Sequence, residues 1–219
     1  MRRLCAALAL LGVTVLAGCG NGPNQEIART MLAQARLSVG KSPQAPAPLA
    51  RLTRAQVDAL GVPLLRVTAI KLKTQALVGV YGTNGPVTTW STTDKTSIAL
   101  NGGIVVATRG LPGDLMSAAV PSLAEIAAGA GVLARTHYYL GRNDQTEPVV
   151  FRCTLADAGA EQITVVGLAY RTRHVTETCV SGSQSFTNDY WIDARGTLRR
   201  SVQWISPQTG ALEIENLVN

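Results

Sequence analysis

Cysteine is the residue type whose placement in this chain points most directly to chemistry. Cys19 follows a Leu-Ala-Gly run at 16–18, and Arg2 and Arg3 precede an apolar segment at 4–16. A charged start, a short apolar segment and small residues before a cut are the layout of a secretory signal peptide. A cysteine directly after the cut is typical of a bacterial lipobox. We therefore expect cleavage before Cys19 and lipidation of Cys19, which would hold the chain at a membrane surface.

Two alternatives to this anchor are a transmembrane helix and an ordinary secreted protein. The apolar segment at 4–16 is shorter than the roughly 20 residues that cross a hydrocarbon core, and an ordinary signal peptide needs no cysteine at the cut. Gly20 follows Cys19. In lipoproteins of Gram-negative bacteria an Asp at that position tends to retain the protein in the inner membrane, so Gly20 favours the periplasmic face of the outer membrane.

The remaining cysteines predict a disulfide. Cys5 leaves with the signal peptide, which leaves Cys153 and Cys179 as an even pair in an oxidising compartment. We expect these two to be bonded to each other. The competing interpretation is a redox or zinc pair, which for zinc would need His137 and His174 to converge on the two sulfurs.

Few residues of the sequence are candidates for acid–base catalysis. His137 and His174 are the only histidines of the sequence, and both fall in predicted strands. Asp189 and Asp193 share a strand face, but four residues of extended chain separate them by about 13 Å, beyond the ~5–10 Å of a glycosidase carboxylate pair. We predict no catalytic residue, no metal, no cofactor and no enzymatic activity.

Aromatic residues are sparse, and the three tryptophans are Trp90, Trp191 and Trp204. They could form a sugar-stacking platform, or they could belong to the core or to an interface. Trp191 shares its strand face with Asp189 and Asp193, which favours exposure. We expect Trp191, Asp189 and Asp193 to contact a glycan or a protein partner.

Helical patterns are short and lie mainly near the start. Apolar spacing predicts a helix over 24–39, and three prolines make 40–50 a stiff connector. Thr53 with Gln56 reads as a capping box for a helix that ends at Gly61, and a second box begins at Ser122.

The rest of the chain has the texture of β-structure, with period-2 alternation that is clearest after residue 185. We expect tight turns at 101–103, where Asn-Gly favours a hairpin, and at 194–196 and 207–210. Many short strands with such turns predict a mainly β fold, an antiparallel sandwich or barrel, with short helices. The strand candidates are 65–80, 87–91, 96–100, 104–108, 133–140, 149–154, 163–170, 174–179, 186–193, 198–204 and 212–215.

The domain organisation follows from these patterns. We expect a signal peptide at 1–18, a lipid-anchored segment of helices and connector at 19–61, and a β-rich barrel-like domain at 62–219. Residues 19–110 carry ten Lys and Arg against three Asp and Glu, whereas residues 111–219 carry eight against eleven. The basic part either faces an anionic surface or is simply solvated. Export through a signal peptide argues against a nucleic-acid partner.

With these residues in view, the chain resembles the YjbF family of lipoproteins, which includes the group 4 capsule lipoproteins. The resemblance extends from about residue 60 to the C-terminus. The segments that carry it are Trp90, 101–102, 108–115, 177–179, 185–193, Gly196 and 203–210.

The resemblance implies a mostly β, barrel-like domain. It also implies a role in making or exporting exopolysaccharide or capsule, beside a large outer-membrane β-barrel protein. It supplies no catalytic residue, and only the lipidated Cys19 carries over as a site. Our first expectation is a non-catalytic accessory or scaffold, and the main alternative is a carrier barrel that binds a glycan or lipid. A third possibility is a polysaccharide-modifying enzyme, which would require clustered carboxylates in a cleft. An open apolar cavity would favour the carrier, and a filled interior would favour the scaffold.

Overall fold

Strands dominate the computed structural model, which describes residues 52–182 and 184–218. Within these residues it has twelve strands and two short helices. The helices are α1 (Arg54–Leu60) and α2 (Leu123–Ala127). The strands are β1 (Leu64–Ala69), β2 (Thr74–Asn84), β3 (Val87–Ser91), β4 (Ser97–Asn101), β5 (Ile104–Arg109), β6 (Ser117–Ala119), β7 (Gly131–Leu140), β8 (Thr146–Val165), β9 (Leu168–Ser181), β10 (Gln184–Asp193), β11 (Leu198–Ser206) and β12 (Gly210–Asn216).

All twelve strands belong to one antiparallel sheet that nearly closes into a barrel. Its order is β5-β4-β3-β2-β1-β12-β11-β10-β9-β8-β7-β6. Strands that are consecutive in the chain pair with each other, with the exception of β5 and β6, which are the two edges of the sheet and contact each other without strand pairing. In addition, β1 pairs with β12. The prediction of a mainly β, barrel-like fold is confirmed. We call the end with the β10–β11 turn the upper end, and the end with the β11–β12 turn the lower end.

Both short helices begin at the predicted capping boxes. The Thr53 hydroxyl accepts the N–H of Gln56, and the Gln56 side chain accepts the N–H of Thr53. Ser122 and Glu125 make the same reciprocal pair before α2. Each box satisfies backbone donors that a helix start leaves free. The buried faces carry Val57 on α1 and Ile126 on α2.

Two predicted strands each contain a turn, and two others are only parts of longer strands, since 149–154 lies within β8 and 174–179 lies within β9. The candidate 163–170 contains a hairpin turn, because Val166 and Gly167 both adopt positive φ between β8 and β9. The candidate 65–80 is likewise divided by a turn at 70–73, where Lys73 has φ 53°. The predicted turns at 101–103, 194–196 and 207–210 lie where the sequence places them.

The barrel interior is filled across its middle by aliphatic side chains. One cluster joins β1, β2, β4, β5, β11 and β12, and a second joins β5, α2, β8, β9 and β10. The first contains Leu65, Val78, Leu100, Leu115, Ile205, Leu212 and Ile214. The second contains Ile104, Ile126, Leu155, Val175, Tyr190 and Ile192.

The loop after β5 closes the seam at the lower end. Asp114 accepts the Thr108 hydroxyl at 2.7 Å and the N–H of Gly110 at 2.8 Å, which folds residues 108–114 into a tight arc. The Thr209 hydroxyl, in the β11–β12 turn, donates to the carbonyl of Pro112 at 2.5 Å. Two segments that carry the YjbF resemblance, 108–115 and 203–210, are therefore in direct contact.

Several predictions lie outside the described residues: the signal peptide at 1–18, lipidated Cys19, the helix at 24–39 and the connector at 40–50. Within the described part of the chain, neither helix has the length and apolar character needed to cross a bilayer.

Candidate functional site

A buried polar network braces three strands inside the barrel. Arg135 of β7 reaches over β8 to Glu177 of β9, with Nε donating to Oε1 at 2.7 Å, and its Nη2 donates to the Tyr190 hydroxyl at 2.7 Å. Glu177 Oε2 accepts the Tyr190 hydroxyl at 2.8 Å and the Asn188 amide at 2.9 Å. All four side chains are buried. A buried ion pair needs such additional hydrogen bonds to offset its desolvation.

The network fixes the protonation states of its members. Burial alone would raise the pKa of Glu177, but the charge of Arg135 and the donated hydrogen bonds hold that pKa below its ordinary value. Burial raises the pKa of Tyr190 well above the ordinary value, so its hydroxyl remains a donor. The network thus holds one carboxylate and one guanidinium that neutralise each other.

Asn188 also bridges a gap in the sheet. The paired register of β10 and β11 ends at Asp189 and Val202. Beyond it, the N–H of Trp204 donates to the Asn188 side-chain oxygen at 2.7 Å instead of to a β10 carbonyl. A side chain therefore replaces a ladder hydrogen bond at the lower part of this strand pair.

His137 lies beside the network in an aromatic cluster. Its Nδ1 is 3.0 Å from the Tyr139 hydroxyl, which donates to the carbonyl of Ile205 at 2.6 Å. Because that hydroxyl proton is committed, Nδ1 must carry the proton of the imidazole. Nε2 is buried without a hydrogen-bond partner among the described residues. Burial, with the nearby charge of Arg135, lowers the pKa of His137 to about 4.

The His137 environment predicts a pH-dependent stability. The imidazole has a pKa of about 4 in the folded protein and the ordinary value of about 6.5 in the unfolded chain. At a pH below both values, this difference lowers the free energy of unfolding by about 3 kcal/mol relative to its value at neutral pH. Stability is therefore full above the unfolded pKa and is lost as the pH falls from 6.5 towards 4. Urea unfolding of wild type and His137→Gln at pH 7 and pH 4.5 measures this. The gap between the two proteins must change with pH; a constant gap contradicts the prediction.

The predicted disulfide is present, between Cys153 of β8 and Cys179 of β9. The two residues are directly opposite each other and fully buried. Glu177 lies close to both sulfurs, at a spacing that suits a metal ion. However, each sulfur is committed to the other, and Glu177 is engaged by Arg135, Asn188 and Tyr190. The zinc alternative is therefore wrong for these cysteines, and His174 lies elsewhere, on the outer face of β9.

The outer face of β8–β11 carries a second cluster, centred on Trp191. The His174 ring stacks on the indole at 4.4 Å, and the Arg200 guanidinium lies 4.1 Å from its centre. The indole N–H donates to Glu161 at 2.8 Å. Two carboxylates flank His174: Glu161 is 3.1 Å from Nδ1 and Asp189 is 2.9 Å from Nε2.

The cluster corrects the expected exposure of Trp191. Trp191 is 8% exposed, because His174 and Arg200 cover its ring and because it belongs to a buried apolar cluster with Ile163 and Val165. Asp189 does lie in the same cluster. Asp193 does not: it accepts the N–H groups of Arg195 and Thr197 in the β10–β11 turn, and Arg199 Nε at 2.7 Å. Asp193 therefore shapes a turn.

The three tryptophans do not form a common platform. Trp191 belongs to the outer cluster, and Trp204 stacks on Phe186 at 5.7 Å. Trp90 is on the inner face of β3, next to a cavity. Sequence alone does not separate these three environments, because each depends on which strands become neighbours.

Cavities occupy both ends of the barrel. The upper cavity, of about 390 Å³, lies beneath the 102–103 and 194–197 turns and beside α2. The lower cavity, of about 360 Å³, lies between β1, β2, β4 and the 110–112 loop. The aliphatic side chains between them keep the barrel from forming a channel. The interior is thus filled at its middle and open at its ends.

The fold places the chain among mainly β proteins built on a single antiparallel, barrel-like sheet, cross-braced inside. The chain belongs to the YjbF family: the family model described as group 4 capsule polysaccharide lipoprotein gfcB, YjbF, matches residues 25–217. The resemblance found in the sequence is confirmed, and membership of a lipoprotein family agrees with an envelope location.

A solved structure supports the same fold. The crystal structure of the hypothetical lipoprotein YmcC from Escherichia coli (K12) aligns with a TM-score of 0.70 over 89% of this chain and 95% of that chain. The two sequences are 16% identical, so this likeness concerns the fold alone. No curated protein matches the chain.

Proposed function

We propose that this protein is a non-catalytic accessory lipoprotein of exopolysaccharide or capsule assembly and export. In this proposal the acylated Cys19 holds it at the periplasmic face of the outer membrane, and it acts by contacting an outer-membrane β-barrel protein of the export system. Membership of a capsule polysaccharide lipoprotein family supports the setting. The mutual neutralisation of Arg135 and Glu177 supports a structural role for the buried charges in the described interior.

The observation that carries the contact role is an exposed valine face on β7–β9. Val132, Val150 and Val180 are 51%, 60% and 50% exposed. The strand register places them on the outward side, because the alternate residues Phe151, Cys153 and Cys179 are buried inside. Their partners across the strands are Thr154, Thr136 and Arg152, so the valines share one sheet face with polar residues between them. Exposed apolar side chains with polar residues around them suit a protein–protein contact.

Deleting the gene in the producing strain should lower the secreted polysaccharide, and the wild-type gene should restore it. The Cys19→Ala protein has no acylated cysteine to hold it at the membrane. It should therefore be lost from the membrane fraction and fail to restore output, since durable attachment needs more than one acyl chain. Val150→Glu should stay in the membrane yet lose crosslinking to the export barrel, since it puts a charge on the contact face without entering the core.

The matched control is Ile70→Glu, at a 49% exposed apolar residue on the β1–β2 turn. It should retain both output and crosslinking. Unchanged polymer after deletion would overturn the proposed function. Equal crosslinking by Val150→Glu and Ile70→Glu would place the contact elsewhere and remove the support from the valine face.

A second candidate function is the carrier barrel, which binds a glycan or lipid. The two end cavities favour it, because each falls within the ~300–1,000 Å³ of small-molecule sites. Accessory and carrier roles are compatible, since one uses the outer face of the sheet and the other its ends.

A further inference from the structure

We propose that the upper cavity binds neutral sugar units of the polysaccharide through Trp90. This inference rests on the proposed role in polysaccharide assembly and gives that role a ligand class and a site. The cavity is lined by Leu65, Pro86, Thr88, Trp90, Leu100, Gly102, Gly103, Leu123, Gly196, Thr197, Leu198, Ser201, Ile214 and Asn216.

The first argument is the pairing of an indole with hydroxyl and amide groups. A pyranose ring has an apolar C–H face and polar edges, so it needs a flat apolar surface and a few placed hydrogen-bonding groups. Trp90 offers the surface, and Thr88, Thr197 and Asn216 offer the polar groups. Thr88 and Trp90 are two residues apart on β3, so both project to the same side of the strand.

The second argument is that several hydrogen-bonding groups at this cavity have no partner within the described part of the chain. The Trp90 indole N–H makes no hydrogen bond within the part of the chain that the structure describes, whereas the Trp191 N–H donates to Glu161. The Thr88 and Thr197 hydroxyls are likewise without side-chain hydrogen bonds to any described residue. A ligand rich in hydroxyls can use these groups without breaking an internal contact.

The third argument is the mouth of the cavity. Gly102, Gly103 and Gly196 have φ of 57°, 93° and 80°, so glycine suits each of these turn positions. At Gly103 a Cβ would come within 2.9 Å of Leu198 Cδ2. The turns therefore lie close over the cavity with bare backbone. Trp90, Gly102 and Gly196 are also among the residues through which the chain resembles its family.

The geometry sets the mode of binding. Leu65, Leu100 and Ile214 belong to the central aliphatic cluster and form the floor of the cavity. Sugars can enter only from the upper end, so the site takes a chain terminus or a branch, and no polymer threads through the barrel. None of the described residues that line the cavity is charged, which favours neutral sugars over uronic acids.

The lower cavity provides the contrast. Its walls are mostly aliphatic, including Val67, Leu72, Val78 and Leu212, with polar groups such as Asp94 among its lining residues. Aliphatic walls suit an acyl chain better than a sugar ring. The mixed lining beside Trp90 distinguishes the upper cavity as the glycan site.

Saturation-transfer NMR and calorimetry can test the assignment on the full lipidated chain in detergent micelles. The probes are neutral and acidic short oligosaccharides released by partial hydrolysis of the producing strain's polysaccharide. We expect wild type to bind the neutral fraction, and Trp90→Leu to bind it about tenfold more weakly or worse. Thr197→Trp, which fills the mouth, should also lose binding and serves if Trp90→Leu does not fold.

Tyr81→Ala is the matched control, because Tyr81 is a 65% exposed aromatic residue that does not line the cavity. It should bind as wild type does. Absence of binding by wild type, preference for the acidic fraction, or equal binding by wild type and both cavity variants would overturn the inference. Displacement of the sugars by a phospholipid in the cavity would overturn it in favour of an acyl-chain ligand.

Failure of this inference is distinguishable from failure of the proposed function. If deletion lowers polymer output and a non-binding Trp90→Leu protein restores it in full, the glycan site has no role while the accessory function stands. If deletion changes nothing but purified protein binds neutral sugars through Trp90, the binding site stands and the accessory function falls.

Discussion

Replacing Glu177 with leucine should lower the free energy of unfolding by about 3–5 kcal/mol, the usual loss when one partner of a buried ion pair is removed. Arg135 would keep its charge at 2% exposure with no carboxylate beside it. The Asn188 amide and the Tyr190 hydroxyl would also lose their acceptor. For a domain of this size the loss corresponds to a fall in Tm of about 10 °C.

Urea unfolding with a matched surface control measures this effect. Asp157→Ala removes a carboxylate from Arg173 in a pair whose side chains are 44% and 43% exposed, so it should cost at most about 1 kcal/mol. The double variant Arg135→Met, Glu177→Leu removes both charges and should recover much of the loss. A Glu177→Leu protein as stable as Asp157→Ala would contradict the bracing role of the network.

The same carboxylate contributes to acid sensitivity. Its folded pKa lies below the ordinary value, so its contribution to stability is present above the unfolded pKa and is lost as the pH falls through the folded one. Glu177 and His137 therefore act in the same direction. Both make the barrel less stable in acid, and His137 begins to do so at the higher pH.

Local features of the fold are readable in the sequence because they depend on neighbouring residues. The Thr53 and Ser122 capping boxes and the Asn-Gly turn at 101–102 each need only a few residues, and each is present as predicted. The hairpin at Val166 is different. A β-branched residue at φ 45° violates local preference, so only the pairing of β8 with β9 reveals it.

The candidate site depends on pairing between strands that are far apart in the sequence. For this reason no local sequence pattern predicts the buried network. Glu177 alternates with Val175 and Cys179, and a charge on an apolar strand face is a signal that a buried partner exists. Its partner Arg135 is 42 residues away, across an intervening strand, and no local pattern identifies it. For the same reason the sequence predicts an exposed Trp191, because His174 and Arg200, which cover it, lie on neighbouring strands.

Removing the disulfide with Cys153→Ala and Cys179→Ala should cost about 3–4 kcal/mol. The bond closes a loop with a sequence separation of 26 residues, and chain-entropy reasoning gives this magnitude for the gain in freedom of the unfolded chain. Alanine is preferable to serine, because a hydroxyl at these fully buried positions would add a desolvation cost. Urea unfolding of the oxidised wild type and the double variant measures the difference.

Wild type unfolded in the presence of a reductant is the control, and it should match the double variant. A double variant within about 1 kcal/mol of oxidised wild type would contradict the prediction.

The bond also acts on the buried network through strand register. Cys153 is paired with Cys179, two positions from Glu177, so it holds Glu177 on the inward side of β9. A slip of one residue would turn Glu177 outward and leave Arg135 unpaired. The disulfide and the Arg135–Glu177 pair should therefore be coupled, with Glu177→Leu costing less in the Cys153→Ala, Cys179→Ala double variant than in the oxidised wild type.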